Sequence, residues 1–178
     1  GGVMTLRELG EAVLVRRGSA QVEPERSRTA QAVTRAALEV ERGMQDPRWI
    51  ERRSGNQFFL ALNENDLGQE RADYALRLGR RADELAGKDP LPTPARAMEE
   101  LQGERLPDDA SPLSSNRLLK LAVVASQSAA LSSRMEVYPK GLSANRAIKL
   151  AQGALLGARE LTIAQVRDRV EGRYPDAE

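Results

Sequence analysis

The most constraining feature of this sequence is a helical segment followed by two strand-like runs, all within residues 26–63. Arg26–Gly43 has the residue spacing of an amphipathic helix. Two runs with strand-forming residues follow, Arg48–Arg53 and Gln57–Leu62, and they flank Ser54-Gly55-Asn56, a composition that suits a tight turn. We therefore predict a helix followed by a β-hairpin.

A second helix is predicted immediately before this segment, over Thr5–Arg17, where Thr5 and Glu8 form a capping box. Two helices and a hairpin, in that order, are the core of a winged helix-turn-helix. In such a unit the second helix enters a groove of duplex nucleic acid and the hairpin contacts the backbone. The sequence therefore predicts a winged-helix-like unit in residues 1–87, which ends in a long helix over Asp66–Gly87.

Basic and amide side chains on this helix and hairpin are the candidate nucleic-acid contacts. They are Arg28, Gln31, Arg35, Arg42, Arg48, Arg52 and Arg53. Arginine can bond guanine edges and glutamine adenine edges, and arginines near the hairpin tip can hold phosphates. The other side of the helix, which we expect to pack against its neighbour, carries Val33, Ala36, Ala37, Val40 and Met44. The alternative interpretation is a solvated helix face with Arg–Glu pairs.

The remainder of the chain divides into a proline-rich linker, residues 88–115, and a second helical unit, residues 116–178. The linker holds one short helix at Pro94–Leu101, capped by Thr93. The predicted elements of the second unit are an apolar helix Asn116–Arg134, a strand Met135–Tyr138, and helices Ala144–Leu156 and Ile163–Gly172. In the last helix we expect Ile163, Val166 and Val170 to be buried.

The Thr162 and Gln165 pair repeats the capping box of Thr5 and Glu8. This correspondence predicts that residues 116–178 form a second, incomplete winged-helix-like unit. The predicted fold class is therefore mainly α with a small β-hairpin, in which tandem winged helix-turn-helix-like units are joined by helices.

The composition argues against catalysis. The chain contains neither cysteine nor histidine, which removes the thiolate nucleophile and the commonest general base and metal ligand. The acidic pairs Glu99-Glu100 and Asp108-Asp109 lie in the proline-rich stretch and are expected to be solvated. There is no glycine-rich phosphate loop. We expect no enzyme activity, no cofactor and no metal.

No apolar run is long enough to cross a membrane, so a cytoplasmic location without a membrane partner is expected.

The last third of the chain resembles the helical, winged-helix-like C-terminal region of bacterial anti-phage defence proteins, the PglW-type kinases of BREX systems and related defence ATPases. The residues that carry this resemblance are Ala129–Gly141, Arg146-Ala147, Gly153–Gly157, Leu161-Thr162, Arg167–Val170 and Arg173–Pro175. The Thr5–Leu62 segment shares it. In such families the kinase or ATPase motifs lie outside this kind of region. The resemblance implies a non-catalytic module that contacts nucleic acid or a partner subunit.

Three functions remain open from the sequence. The first is binding of double-stranded DNA as part of a larger defence protein. The second is a protein-interaction or scaffold module of a multi-subunit defence complex, with the apolar stretch Asn116–Leu131 and the acidic middle facing partners. The third is a structural part that tethers a catalytic domain. Arginines paired with Glu39, Glu41 or Glu51 would favour a partner protein over DNA.

Overall fold

A computed structural model describes residues 2–19, 24–54, 57–108, 110–155 and 160–177. The chain forms two compact units, residues 1–77 with 105–113, and residues 78–104 with 114–178. The first holds β1 (Val3–Thr5), α1 (Leu6–Arg16), α2 (Pro24–Arg42), β2 (Trp49–Ser54), β3 (Gln57–Leu62) and the start of α3 (Gly68–Ala86). The second holds the rest of α3, then α4 (Pro94–Gln102), α5 (Ser115–Ala125), β4 (Ala129–Leu131), β5 (Val137–Pro139), α6 (Ala144–Leu155) and α7 (Ile163–Arg173). The prediction of a mainly α fold with a small hairpin is confirmed.

The predicted hairpin forms two strands of a three-stranded antiparallel sheet in the first unit. β2 and β3 pair from Trp49 opposite Leu62 to Ser54 opposite Gln57. The sheet order is β1-β3-β2, so β3 is the middle strand, and its residues Phe59–Ala61 are buried. The short strand β1 has no counterpart in the sequence prediction. Of the predicted tip, Gly55 and Asn56 lie outside the described residues.

Both predicted capping boxes are present. The Glu8 N–H donates to the Thr5 hydroxyl at 3.1 Å, and the Thr5 N–H donates to the Glu8 carboxylate at 2.8 Å. At the start of α7 the same reciprocal pair joins Thr162 and Gln165, at 3.3 and 2.9 Å. Each box satisfies two amides that the helix itself leaves without partners. The broader internal repeat stays a prediction.

The predicted packing of α2 is wrong. Val33, Val40 and Met44 are 65%, 69% and 56% exposed, whereas the buried residues of the helix are Ser27 and Ala30. The physical reason is the close approach of α1. A Cβ added at Gly10 would lie 3.3 Å from the backbone nitrogen of Gln31, so small residues set this contact and the larger valines are left outside it.

In the second unit, the predicted helix Asn116–Arg134 ends at Ala125 and is followed by β4. The Asp83 carboxylate of α3 accepts the N–H of Gln127 at 3.1 Å and of Ser128 at 2.7 Å, and so fixes the turn. Gly79 of α3 packs against the same turn, and a Cβ at Gly79 would overlap the Ala125 carbonyl oxygen. These contacts come from a distant helix, which explains why the apolar run alone gave the wrong boundary.

The core of the second unit is built on an aromatic pair. Tyr138 and Tyr174 have ring centroids 5.0 Å apart at 75° and are almost fully buried. Val170 packs with them as predicted, whereas Ile163 is 90% exposed, contrary to expectation. The apolar side chains of α5 are buried within this unit, so they do not form the partner-facing surface that the second hypothesis required; they are Leu118, Leu119 and Leu121.

Candidate nucleic-acid interface

Three of the candidate arginines lie along one edge of α2. Arg28, Arg35 and Arg42 are separated by seven residues each, so successive Cα atoms are about 10.5 Å apart along the helix axis. All three are exposed. Within the described part of the chain, no carboxylate lies within ion-pair distance of Arg28 or Arg35. The edge therefore presents two cationic groups to solvent.

The phenyl ring of Phe58 connects this helix edge with the hairpin. The Arg35 guanidinium carbon lies 5.9 Å from the ring centroid, and that of Arg53 lies 5.1 Å from it. Arg53 and Phe58 are cross-strand partners in the β2–β3 ladder. A guanidinium near an exposed aromatic face gains about 0.5–1 kcal/mol. The ring thus holds positive charges from two different elements next to each other. We call Arg28, Arg35 and Arg53 the arginine edge.

Arg42 and Arg48 are paired with carboxylates. Arg42 donates to Glu39 at 3.2 Å and also contacts Glu51 of β2. The backbone N–H of Arg48 donates to Glu41 at 2.8 Å, and its Nε donates to the same carboxylate at 3.3 Å. These pairs link α2 to the strand that follows it. The two guanidinium groups are therefore already occupied within the protein.

The remaining candidates, Gln31 and Arg52, contact their own elements. The Gln31 amide nitrogen donates to the Ser27 hydroxyl at 3.1 Å, and its side chain packs beside Gly10. One Arg52 nitrogen donates to the Glu51 carbonyl at 3.0 Å. Gln31 is half-buried, which leaves it less accessible than the arginines on either side of it.

An open groove of about 440 Å³ lies between the C-terminal half of α2 and the hairpin. Its lining combines apolar side chains, arginines and the two glutamates Glu41 and Glu51; the others include Leu38, Trp49, Arg52, Arg53, Phe58 and Leu60. Trp49, the single tryptophan of the chain, is half-buried at the start of β2. The groove continues the arginine edge toward the hairpin.

The described acidic residues of the two predicted acidic pairs lie beside basic side chains. Across the described ranges, no group of three or more acidic side chains is placed to hold a metal ion. Glu100 accepts from Lys88 at 2.8 Å and contacts Arg96 at 3.3 Å, and the hydrogen bond from Lys88 lowers its pKa. Glu99 pairs with Arg96. Asp109 lies outside the described residues.

Among the residues that the structure describes, no helix is both long and apolar enough to cross a bilayer.

A second charged cluster, which sequence reasoning missed, lies in the second unit. Glu136 accepts from Arg173 at 3.1 and 2.7 Å, from the Ser132 hydroxyl at 3.0 Å and from the Tyr174 hydroxyl at 3.2 Å. We call these four residues the Glu136 network. Burial raises the pKa of Glu136, but the bonds from Arg173 and Ser132 outweigh it, so the net pKa is lowered. Burial and the Glu136 charge raise the pKa of Tyr174 to about 12.

The position of this cluster argues for a structural role. Glu136 and Arg173 are 21% and 13% exposed, and every donor that Glu136 accepts from belongs to the same unit. Only the Arg173–Tyr174 pair near the end of α7 could have indicated it, and nothing local connects that pair with Glu136, 37 residues earlier in the sequence.

Comparison with known proteins gives one informative similarity. No family model matches the chain, and no solved structure matches it. The chain is 35% identical over 201 aligned residues to a protein named "Probable kinase PglW" from Streptomyces coelicolor. The similarity covers 99% of this chain and 13% of that protein. The expected resemblance to PglW-type kinases is thus confirmed for a region of such a protein, and it extends beyond the last third to nearly the whole chain.

Proposed function

We propose that this chain is a non-catalytic module that binds double-stranded DNA within a larger bacterial, cytoplasmic defence protein. The observation that carries the proposal is the arginine edge, in which Phe58 brings Arg35 of α2 and Arg53 of the hairpin to the same ring. Guanidinium groups pair with phosphate oxygens through two parallel hydrogen bonds, so such an edge suits a nucleic-acid backbone.

The topology of the first unit supports the same proposal. The element order β1-α1-α2-β2-β3 with sheet order β1-β3-β2 agrees with a winged-helix-like arrangement. In that arrangement α2 is the helix that faces the duplex and the β2–β3 hairpin is the wing. The chain corresponds to 13% of the length of its kinase-named relative, which agrees with an accessory region beside a catalytic one.

The test is duplex binding measured by fluorescence anisotropy at low salt. The quadruple variant Arg28→Ala, Arg35→Ala, Arg52→Ala, Arg53→Ala should lose affinity on the order of 100-fold, because charge-assisted phosphate contacts are removed. The matched control removes four exposed arginines elsewhere, at positions 80, 105, 134 and 167, and should change the affinity little. Equal binding by the wild type and the first variant would overturn the proposal.

A second candidate is a protein-interaction module, favoured by the exposed apolar row formed by Val33 and Val40 of α2 and by Met44 just after it. A row of this kind suits contact with another part of the larger protein or with another subunit of a defence complex. In the full-length protein, Val33→Ser with Val40→Ser should then weaken association with that partner and leave duplex affinity unchanged. Unchanged association in the double variant would exclude this face as the contact.

A further inference from the structure

We infer that the first unit holds duplex DNA through its sugar-phosphate backbone and does not distinguish base sequences. This inference rests on the proposed function and specifies the ligand of the same surface. Sequence discrimination requires side chains that can offer a free pair of donors and acceptors to base edges. The contacts made by each polar residue of α2 decide whether such a side chain exists.

Gln31 is poorly placed to contact bases. A glutamine that recognises adenine presents both its amide nitrogen and its amide oxygen to the base. Here the nitrogen donates to Ser27 on the preceding turn, and the side chain lies against the point where α1 crosses α2 at Gly10. Turning the amide outward would break this hydrogen bond and disturb the contact between α1 and α2 at Gly10.

Arg42 is also unavailable for a bidentate contact with guanine. Its two terminal nitrogens are directed to different carboxylates, Nη1 to Glu39 and Nη2 to Glu51. Releasing them would leave two carboxylates facing an anionic ligand. Arg48 is held in the same way by Glu41, whose side chain is only 12% exposed. These arginines support the hairpin and are not placed to reach base edges in a groove of the DNA.

On the outward face of α2 beside the arginine edge, the Thr29 hydroxyl donates to the Glu25 carbonyl at 3.0 Å, and Glu39 accepts from Arg42 at 3.2 Å. Ala32 and Ala36 are exposed there and offer only methyl groups. Arg28 and Arg35 are exposed on this edge, and their Cα atoms are about 10.5 Å apart along the axis. This separation equals about three base steps of 3.4 Å, too wide for neighbouring base pairs to be recognised together. Contact with separate phosphates suits it.

The deciding experiment selects ligands from a random-sequence duplex pool and then measures three duplexes of equal length and different base composition. We expect no enriched motif and affinities within about threefold of one another. Each phosphate that the protein neutralises contributes about −0.9 to the slope of log K, where K is the association constant, against log[salt]. Four such contacts therefore predict a slope no steeper than about −3.6. Arg28→Ala with Arg35→Ala should weaken all three complexes by the same factor.

The matched variant is Gln31→Met, which keeps the volume of the side chain and removes its donors and acceptor. It should bind all three duplexes as the wild type does, within about twofold, because a base contact would be worth about 1–3 kcal/mol. An enriched motif, or a preference of more than about tenfold that Gln31→Met abolishes, would overturn the inference and leave the proposed function standing. Failure to bind any duplex would overturn both.

Discussion

The Arg42–Glu39 pair of the first unit and the Arg173–Glu136 pair of the second contain the same kinds of side chain in opposite surroundings. On the first unit, Arg42 and Glu39 are 58% and 59% exposed and share a single hydrogen bond. In the second unit, Glu136 is 21% exposed and accepts from three different side chains. Solvent weakens the first pair, and burial makes the second depend on complete pairing. The exposed pair is therefore expected to contribute little to stability, whereas the buried pair of Arg173 and Glu136 is expected to contribute much more.

The largest expected effect comes from breaking the Glu136 network. Glu136→Ala should lower the free energy of unfolding by about 3–5 kcal/mol, because Arg173, whose side chain is only 13% exposed, would be left without its carboxylate. Urea denaturation measures this change. The control, Glu171→Ala, breaks the exposed Arg167–Glu171 pair and should cost less than about 0.5 kcal/mol. Similar losses for the two variants would remove the distinction between buried and exposed pairs.

The next effect concerns the packing of α3 against the turn after α5, in the same unit as the Glu136 network. Gly79→Ala should destabilise the protein by about 1–3 kcal/mol, because the added methyl group would overlap a backbone carbonyl that cannot easily move. Gly153→Ala in α6 is the control, since a Cβ there meets no atom within 4 Å, and it should stabilise the helix by up to about 1 kcal/mol. Thermal melting of both variants gives the comparison. A neutral Gly79→Ala would show that the turn after α5 is loosely packed.

A smaller effect should appear in the pH dependence. The lowered pKa of Glu136 gives stabilisation that is complete above its ordinary value of 4.5 and is lost as the pH falls through the folded-state pKa. Tyr174 behaves oppositely. Its pKa is raised to about 12, so its contribution is present below its ordinary value of 10.0 and is lost as the pH rises through about 12. Between pH 10.0 and about pH 12, the melting temperature should therefore fall more steeply in the wild type than in Tyr174→Phe. Parallel alkaline profiles would contradict the assignment.

The smallest effect is expected on the exposed apolar row of α2. Val33→Ala with Val40→Ala should leave stability unchanged or raise it by a few tenths of a kcal/mol, because both valines are solvent-exposed and alanine favours a helix. Val170→Ala, at a site 7% exposed, should cost about 1 kcal/mol or more. Chemical denaturation of the isolated chain distinguishes the two. A loss in the α2 variant as large as that of Val170→Ala would mean that the row is covered.

Local features were predictable from the sequence, and features set by distant contacts were not. The capping boxes of Thr5 and Thr162 involve residues three apart, and the hairpin follows from alternation and turn composition. The end of α5 depends on Asp83, 45 residues before Ser128. The position of Arg28 and Arg35 on one edge of α2 followed from helical periodicity. Its connection to the hairpin through Phe58, and the side of α2 that packs, depend on contacts that periodicity does not contain.

The position of Trp49 gives the two units separate optical labels. The only tryptophan lies at the start of β2, beside the groove that continues the arginine edge. The edge-to-face pair of Tyr138 and Tyr174 belongs to the second unit. Tryptophan emission should therefore report unfolding of the first unit and occupancy of the hairpin surface. Tyr74 is buried in the first unit, so a Tyr74→Phe variant is needed to assign tyrosine circular dichroism in the near ultraviolet to the second unit. In that variant the cooperativity of the two units can be measured without any added probe.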